Sequence, residues 1–426
     1  MRRMAEDEQP ALVEPPSPSA ADERSGRARA LVALSSRDFR LLWGGQTVSM
    51  VGDAAFIVAI GWLTFTLSGS RALGAVLMLQ AIGLILTLLV GGALADRLSR
   101  RRLMVVSDLA RAVVVSALVV VEATGHASIA VLGATAFVNG LFSGFFMPAF
   151  GGIVPLVVEQ PHLSSANALI GVSRQLALVV GPAVAGLLYE PLGPSAVFGL
   201  DAASYVFAAA LVWRARPRPY ERQERGGALR DVADGFRYVA SEPWLWVTIV
   251  LFSLFLMAVI APVQVLLPEL MAEHFGRGVG AYGMVFAAQG IGMVIGSLAF
   301  AQLAPTRHRG VLSYVLWTAN AVAIVLFVLS PWYGVALALA VARGAALGFG
   351  IAVWETILMS LVPEGLLSRV ISVDYFGSVG LMPIGLAAAG AASEVASPEA
   401  LLITGAALSA VVFAACLPAR WLRAVQ

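Results

Sequence analysis

Gly92-Ala-Leu-Ala-Asp96-Arg97-Leu-Ser-Arg100-Arg101-Arg102 places four arginines and an aspartate between two long apolar runs, residues 72–95 and 103–121. Hydrocarbon does not hold that much charge, so this stretch lies in water beside a bilayer. The runs on either side then cross that bilayer. The glycine lets two helices approach closely, which sets the charges at the mouth between them.

The rest of the chain reads the same way. It has 426 residues, 59% of them apolar and 13% charged, against about 25% charged in a soluble domain. Residues 72–95, 310–342 and 375–393 contain no Asp, Glu, Lys or Arg, and a run of about 18 such residues is enough for a membrane-spanning helix. The fold class expected is an all-α polytopic membrane protein. Twelve spans are expected, at roughly 41–67, 72–95, 103–122, 128–153, 167–189, 194–213, 244–268, 280–303, 310–329, 333–358, 370–392 and 400–419. Trp43, Trp213, Trp244 and Trp421 stand at run ends, as interfacial anchors do.

Every basic residue is arginine, 28 in all. With the N-terminus inside, the internal segments hold 23 of those outside the spans and the external loops only Arg71 and Arg277. That bias puts both termini in the cytoplasm. The charge is spread over loops, so it offers no nucleic-acid surface. Cys416 is the lone cysteine and the four histidines are scattered, so neither a disulfide nor a metal site is expected. The same scatter argues against an integral-membrane enzyme.

The organisation expected is a disordered cytoplasmic tail at 1–34, a six-helix bundle at 35–213, a cytoplasmic linker at 214–243, a second bundle at 244–420 and a tail at 421–426. The linker sequence from Leu229 to Ala240 alternates charged and apolar residues at helical spacing and predicts an amphipathic surface helix. Repeats mark the two halves. Pro161 and Pro182 bracket the approach to span five as Pro363 and Pro383 bracket span eleven, and Gly296-Ser-Leu298 echoes Gly92-Ala-Leu94. Two six-helix halves with weak internal symmetry suit a transporter whose site lies between halves and opens to each side in turn.

Ionisable groups within spans mark pathways or ion pairs. Asp53 lies about 18 Å into span one at 1.5 Å per residue, near mid-membrane, and is the candidate proton-binding carboxyl. The alternative is an acid permanently paired with an arginine from another helix. Arg174 in span five is the expected fixed partner or substrate anchor. Arg343 and Glu355 in span ten are too far apart to pair directly, so each needs an outside partner, and Glu355 is a candidate second proton site. Asp108 and Arg111, three apart in span three, share a face and read as a structural pair; Asp201 also reads as structural. Gln46 and Asn139 are polar residues that serve either helix packing or substrate. Phe142, Phe145, Phe146 and Met147 are either packing or an apolar wall for a lipophilic substrate.

Gly92-x-Leu94-x-Asp96-Arg97-x-Ser99-Arg100-Arg101 resembles the loop between spans two and three of the major facilitator superfamily, with Ser99 where the family has Gly. Gly181-Pro182-Ala-Val-Ala185-Gly186 resembles the span-five motif of its proton-coupled exporters, departing at Ala185 and Ala177. Phe39 to Asp53, Ser107-Asp108-Leu-x-Arg111 and Ala166 to Arg174 resemble the bacterial branch that includes enterobactin and macrolide exporters. The resemblance implies that Asp96 meets the start of span eleven near Ser368–Val370, with Arg97 and Arg101 completing a latch on the cytoplasmic side. It implies that Gly181, Pro182 and Gly186 let the halves pack tightly, and that Asp108 and Arg111 belong to the conformational machinery.

The function expected is therefore a monomeric exporter in the bacterial inner membrane. It moves a small amphipathic compound (drug, siderophore or natural product) outward by proton antiport, as multidrug-resistance exporters do. Import or facilitated passage of a small metabolite is the alternative. Its partners are substrate, protons and lipid, with no nucleic acid; a proton gradient takes the place of a cofactor and no metal is involved.

Overall fold

The computed structural model describes residues 31–219, 228–423 and 425, and within them leaves out the side chains of residues 89, 90, 92–97, 228–232 and 364. The tail expected at 1–34 falls outside the described residues up to residue 30. Among those described there are helices and no strands.

Eleven helices are long and apolar enough to cross a membrane, and the first, Arg37–Leu88, has 52 residues. At 1.5 Å per residue it would run about 78 Å, more than twice the hydrocarbon thickness. It is two crossings. The backbone reverses at Ser68 and Gly69, where Gly69 takes φ 74°, a conformation open to glycine at little cost. Twelve spans result. Span one covers residues 37–67 and span two 70–97. The others are Arg100–Ala123, Ile129–Val157, Gln160–Leu192, Pro194–Arg214, Pro243–Glu273, Val279–Leu303, Arg309–Leu329, Tyr333–Leu361, Gly365–Ala392 and Pro398–Cys416. The linker carries a helix at Ala228–Ser241.

Local sequence sets the ends. Ser99, Ser128 and Ser397 each accept a backbone N–H from three residues on, satisfying a donor that the first turn leaves free. Pro194, Pro243 and Pro398 open their helices at a position where no N–H is needed.

The spans form two pseudo-symmetric six-helix bundles, and glycine packs the same seam in each. Gly140 and Gly144 of span four face the backbone of span two, as Gly344 and Gly348 of span ten face span eight. Spans seven and eleven are less regular. Span seven has a π-helical turn at Leu256–Ile260. Span eleven breaks at Leu381 before Pro383, and Gly385 packs there on the Met257 carbonyl.

One end of the bundle carries the arginine-rich segments; call it the basic end, and its opposite the distal end. The contacts between halves run from mid-bundle to the distal end. Leu178, Pro182 and Gly186 of span five meet Gly290, Gly283 and Gly280 of span eight. Trp62 and Tyr282 rings lie 5.8 Å apart. Arg71 pairs with Glu394 at 2.6 Å, Ser70 donates to Glu269, and the Gly280 N–H donates to Glu190 at 3.2 Å.

At the basic end the described contacts stay within each half. Arg101, expected to join a latch to span eleven, instead donates to the Ala215 carbonyl at 2.9 Å and lies over Trp213. The reason is geometric: the carbonyls ending span six are the acceptors within its reach. Arg100 donates to the Gly152 carbonyl at 2.6 Å. Arg369, at the start of span eleven, pairs with Asp234 of the linker helix at 3.3 Å. The side chains of Asp96 and Arg97, expected in the same latch, lie outside the described set, and Gly92 is described only as helical backbone.

This closure can be tested by cross-linking. Arg71 and Glu394 are both exposed where they meet, so cysteines in their places lie within reach of a short bifunctional maleimide. In a Cys416→Ser background, Arg71→Cys with Glu394→Cys should be bridged by that reagent, read as a mobility shift on a gel. No bridge would contradict the distal packing.

Candidate functional site

A cavity of about 430 Å³ occupies the N-terminal bundle between its middle and the basic end. Its size falls within the range of small-molecule pockets, about 300–1,000 Å³. The apolar wall comes from Met50, Phe56 and Ile57 of span one and from Phe146, Met147 and Phe150 of span four. Polar groups come from Gln46, Gln80, Asn139, Ser143 and Asn167, and charge from Asp53, Arg111 and Arg174. Of the two readings of the span-four aromatics, the wall is where Phe146 and Met147 stand.

Asp53 keeps 39% of its side-chain exposure, so the cavity reaches it. Its arginine is Arg111, at 3.5 Å; Arg174, expected as the fixed partner, is not the one. Arg174 is exposed in the same cavity, and the acid it interacts with is Glu355 of the other half. The reason is helix facing. Span three brings Arg111 inward beside span one, while Arg174 on span five turns toward the cleft between bundles.

Arg111 is nearly fully buried and its Nη2 holds Asp108 at 2.5 Å. Gln46 donates to the other oxygen of Asp108 at 3.4 Å. The guanidinium is sandwiched by rings, 4.3 Å from the Tyr205 centroid and 4.8 Å from that of Phe146, a setting a planar cation tolerates better than an ammonium does. Spacing alone reads the Asp108–Arg111 pair as structural and separate from the path. It is instead continuous with Asp53, because one guanidinium serves both acids.

Tyr205 of span six donates its hydroxyl proton to Asp53, and Asn139 donates to the Tyr205 oxygen at 3.4 Å. Sequence reasoning missed Tyr205. The available signal was its place one turn after Asp201, an aromatic with a polar tip in an apolar span. Asp201 is fully buried behind Gly52, where a Cβ would come within 2.7 Å of the Asp201 Oδ1.

The remaining candidates lie apart. Arg343 is buried in the C-terminal bundle, its Nε without a hydrogen-bond partner among the described residues; the Asn320 amide donates to its backbone carbonyl at 2.8 Å. It is not among the residues lining the cavity. Gly181 packs on Val51 and Ala54 of span one. With Pro182 and Gly186, it ties the site helix to the seam between halves. No cluster of three or more metal-ligating side chains occurs among the described residues.

Twelve helices in two matched bundles, with a polar-spotted cavity in the N-terminal one, define a membrane transporter. The chain belongs to the major facilitator superfamily, in the family described as transmembrane secretion effector, whose model matches residues 28–421. It is similar to the enterobactin exporter of Shigella boydii serotype 18, with 26% identity over 333 residues, 76% of this chain and 79% of that protein. In fold it is similar to the nucleoside transporter NupG, with a TM-score of 0.71 at 12% identity over 90% of this chain and 100% of the other. It is also similar to a bacterial homologue of the iron transporter ferroportin in an inward-facing state, with a TM-score of 0.66 at 17% identity over 90% and 99%.

Packing at Gly52 separates this site from ordinary helix surface. Gly52→Ala should lower stability by about 1–3 kcal/mol through overpacking, because the added methyl collides with the Ser204 hydroxyl and the Asp201 carboxyl. Gly44→Ala, with open space around it, should be neutral or slightly stabilising. Thermal unfolding of the two purified variants checks this, and equal loss in both would contradict it.

Proposed function

We propose that the protein is a secondary active exporter of the bacterial cytoplasmic membrane, with both termini cytoplasmic, moving a small amphipathic organic compound outward in exchange for protons. The observation that carries this reading is Asp53. It is a half-buried carboxyl on the wall of a cavity of about 430 Å³, held by a buried arginine and a tyrosine hydroxyl.

An acid so placed serves two ligands. It accepts a proton from cavity water, and its charge changes the field that a substrate meets a few ångströms away. The apolar wall of Phe146, Met147 and Phe150 suits the apolar part of such a substrate, while Gln80, Asn139 and Asn167 suit its polar groups. Arg174 and Glu355, one in each half, attract one another electrostatically. When the bundles tilt to close the basic end, that pair draws together and the distal contacts of Arg71, Ser70 and Glu190 part. Arginine bias toward the basic end supports a cytoplasmic opening in this conformation. The 26% identity with an enterobactin exporter supports the outward direction.

Asp53→Asn tests the coupling. In inverted membrane vesicles at matched expression, the wild type should accumulate a fluorescent amphipathic probe when the interior is acid. The variant should reach the membrane in equal amount yet lose at least about tenfold of the gradient-driven rate, as expected when a positioned proton carrier is removed. Full gradient-driven uptake by the variant would remove Asp53 from the mechanism, and uptake in right-side-out vesicles instead would reverse the direction.

A further inference from the structure

Three carboxyls, Asp53, Asp108 and Asp201, gather around a single guanidinium. Arg111 is already committed, with Nη2 on Asp108 at 2.5 Å and Nη1 near Asp53 at 3.5 Å. Asp201 has no share in it by contact. Its side chain is fully buried, and neither carboxyl oxygen has a hydrogen-bond partner among the described residues. The groups that face it are Asp53 from span one, Arg111 from span three, and Ser204 and Tyr205 from its own helix. The Ser204 hydroxyl is turned away, donating to the Asp201 backbone carbonyl at 2.7 Å. The Tyr205 hydroxyl is close as well, but its proton is committed to Asp53. A carboxylate sealed from water with no ion pair of its own, and with both neighbouring hydroxyls donating elsewhere, is strongly disfavoured, whereas the neutral acid is tolerated.

We propose that Asp201 is a second proton-binding site, occupied in the conformation seen here and joined to the cavity through the Tyr205 hydroxyl and Asp53. The route is short. Tyr205 donates to Asp53 and interacts with Asp201 one turn earlier on the same helix. When Asp53 is empty, the Tyr205 proton passes to the Asp53 oxygen and the Asp201 proton passes to the Tyr205 oxygen. One O–H bond breaks at Asp201, one forms at Asp53, and the tyrosine is neutral before and after. Asp108 is excluded from this role by its direct bond to Arg111. The site rests on the proton-exchange reading above and extends it from one carboxyl to two.

Infrared difference spectra of the full-length protein in lipid, acid against alkaline, test this without a transported substrate. Asp201→Asn should lose one carboxylic-acid C=O band that the wild type shows and Asp53→Asn retains. An Asp201→Asn spectrum that superimposes on the wild type would overturn the proposal. Should that variant fail to assemble, Asp201→Glu keeps an acid in place and must shift the same band; an unshifted band overturns it equally. If the exchange reading itself is wrong, wild-type transport will ignore the proton gradient in vesicles, a result separate from the presence or loss of the band.

Discussion

The Arg111 guanidinium is the constraint on which the N-terminal bundle is built. It is a permanent cation some way into the membrane, nearly devoid of solvent, and no lipid-facing arrangement would accommodate it. Its neighbours follow from that. Asp108 neutralises it through a short bond, two aromatic rings cover its faces, and Asp53 takes the remaining edge. Spans one, three, four and six are thereby locked in one rotational setting each, because each contributes a side chain to the same group. The cavity is what remains on the open side of that lock.

The C-terminal bundle repeats the scaffold, but among the described residues no acid pairs with its buried arginine. It has the glycine seam between spans eight and ten and a buried arginine, Arg343, with Asn320 beside it. Its acids, Glu355 and Asp374, lie nearer the cleft, where Trp354 donates to Asp374 at 3.3 Å. The buried ion-pair cluster thus lies in the N-terminal half. Glycine-to-backbone contact between spans five and eight gives the halves a smooth seam. The π-helical turn in span seven and the break in span eleven pack on one another, and span eleven just beyond its break packs on span two of the other half.

Much of this architecture could be read from the sequence. Long uncharged runs, arginine bias and the Gly92–Arg102 loop give twelve crossings, and the structure differs from that reading by a few residues at the ends. The site was legible only in part. Depth along span one marked Asp53, and spacing marked Asp108 with Arg111. Which arginine would reach Asp53 depends on how helices rotate against one another, and that is decided by packing across distant parts of the chain. Arg174 was the natural partner by sequence, and Arg111 is the actual one. Tyr205 escaped because a tyrosine in an apolar span is ordinarily core, and its role shows only once its hydroxyl is found beside an acid. Asp201 read as structural, and the structure leaves both its carboxyl oxygens without a hydrogen-bond partner among the described residues.

The most direct measurement is a double-mutant cycle on unfolding stability between Arg111 and Asp108. Arg111→Gln alone leaves an uncompensated buried carboxylate and should cost about 3–5 kcal/mol. Adding Asp108→Asn should recover most of that loss, since the cation and its closest acid are then both gone. An Arg111→Gln protein as stable as the wild type, or a double variant no better than the single one, would contradict the account.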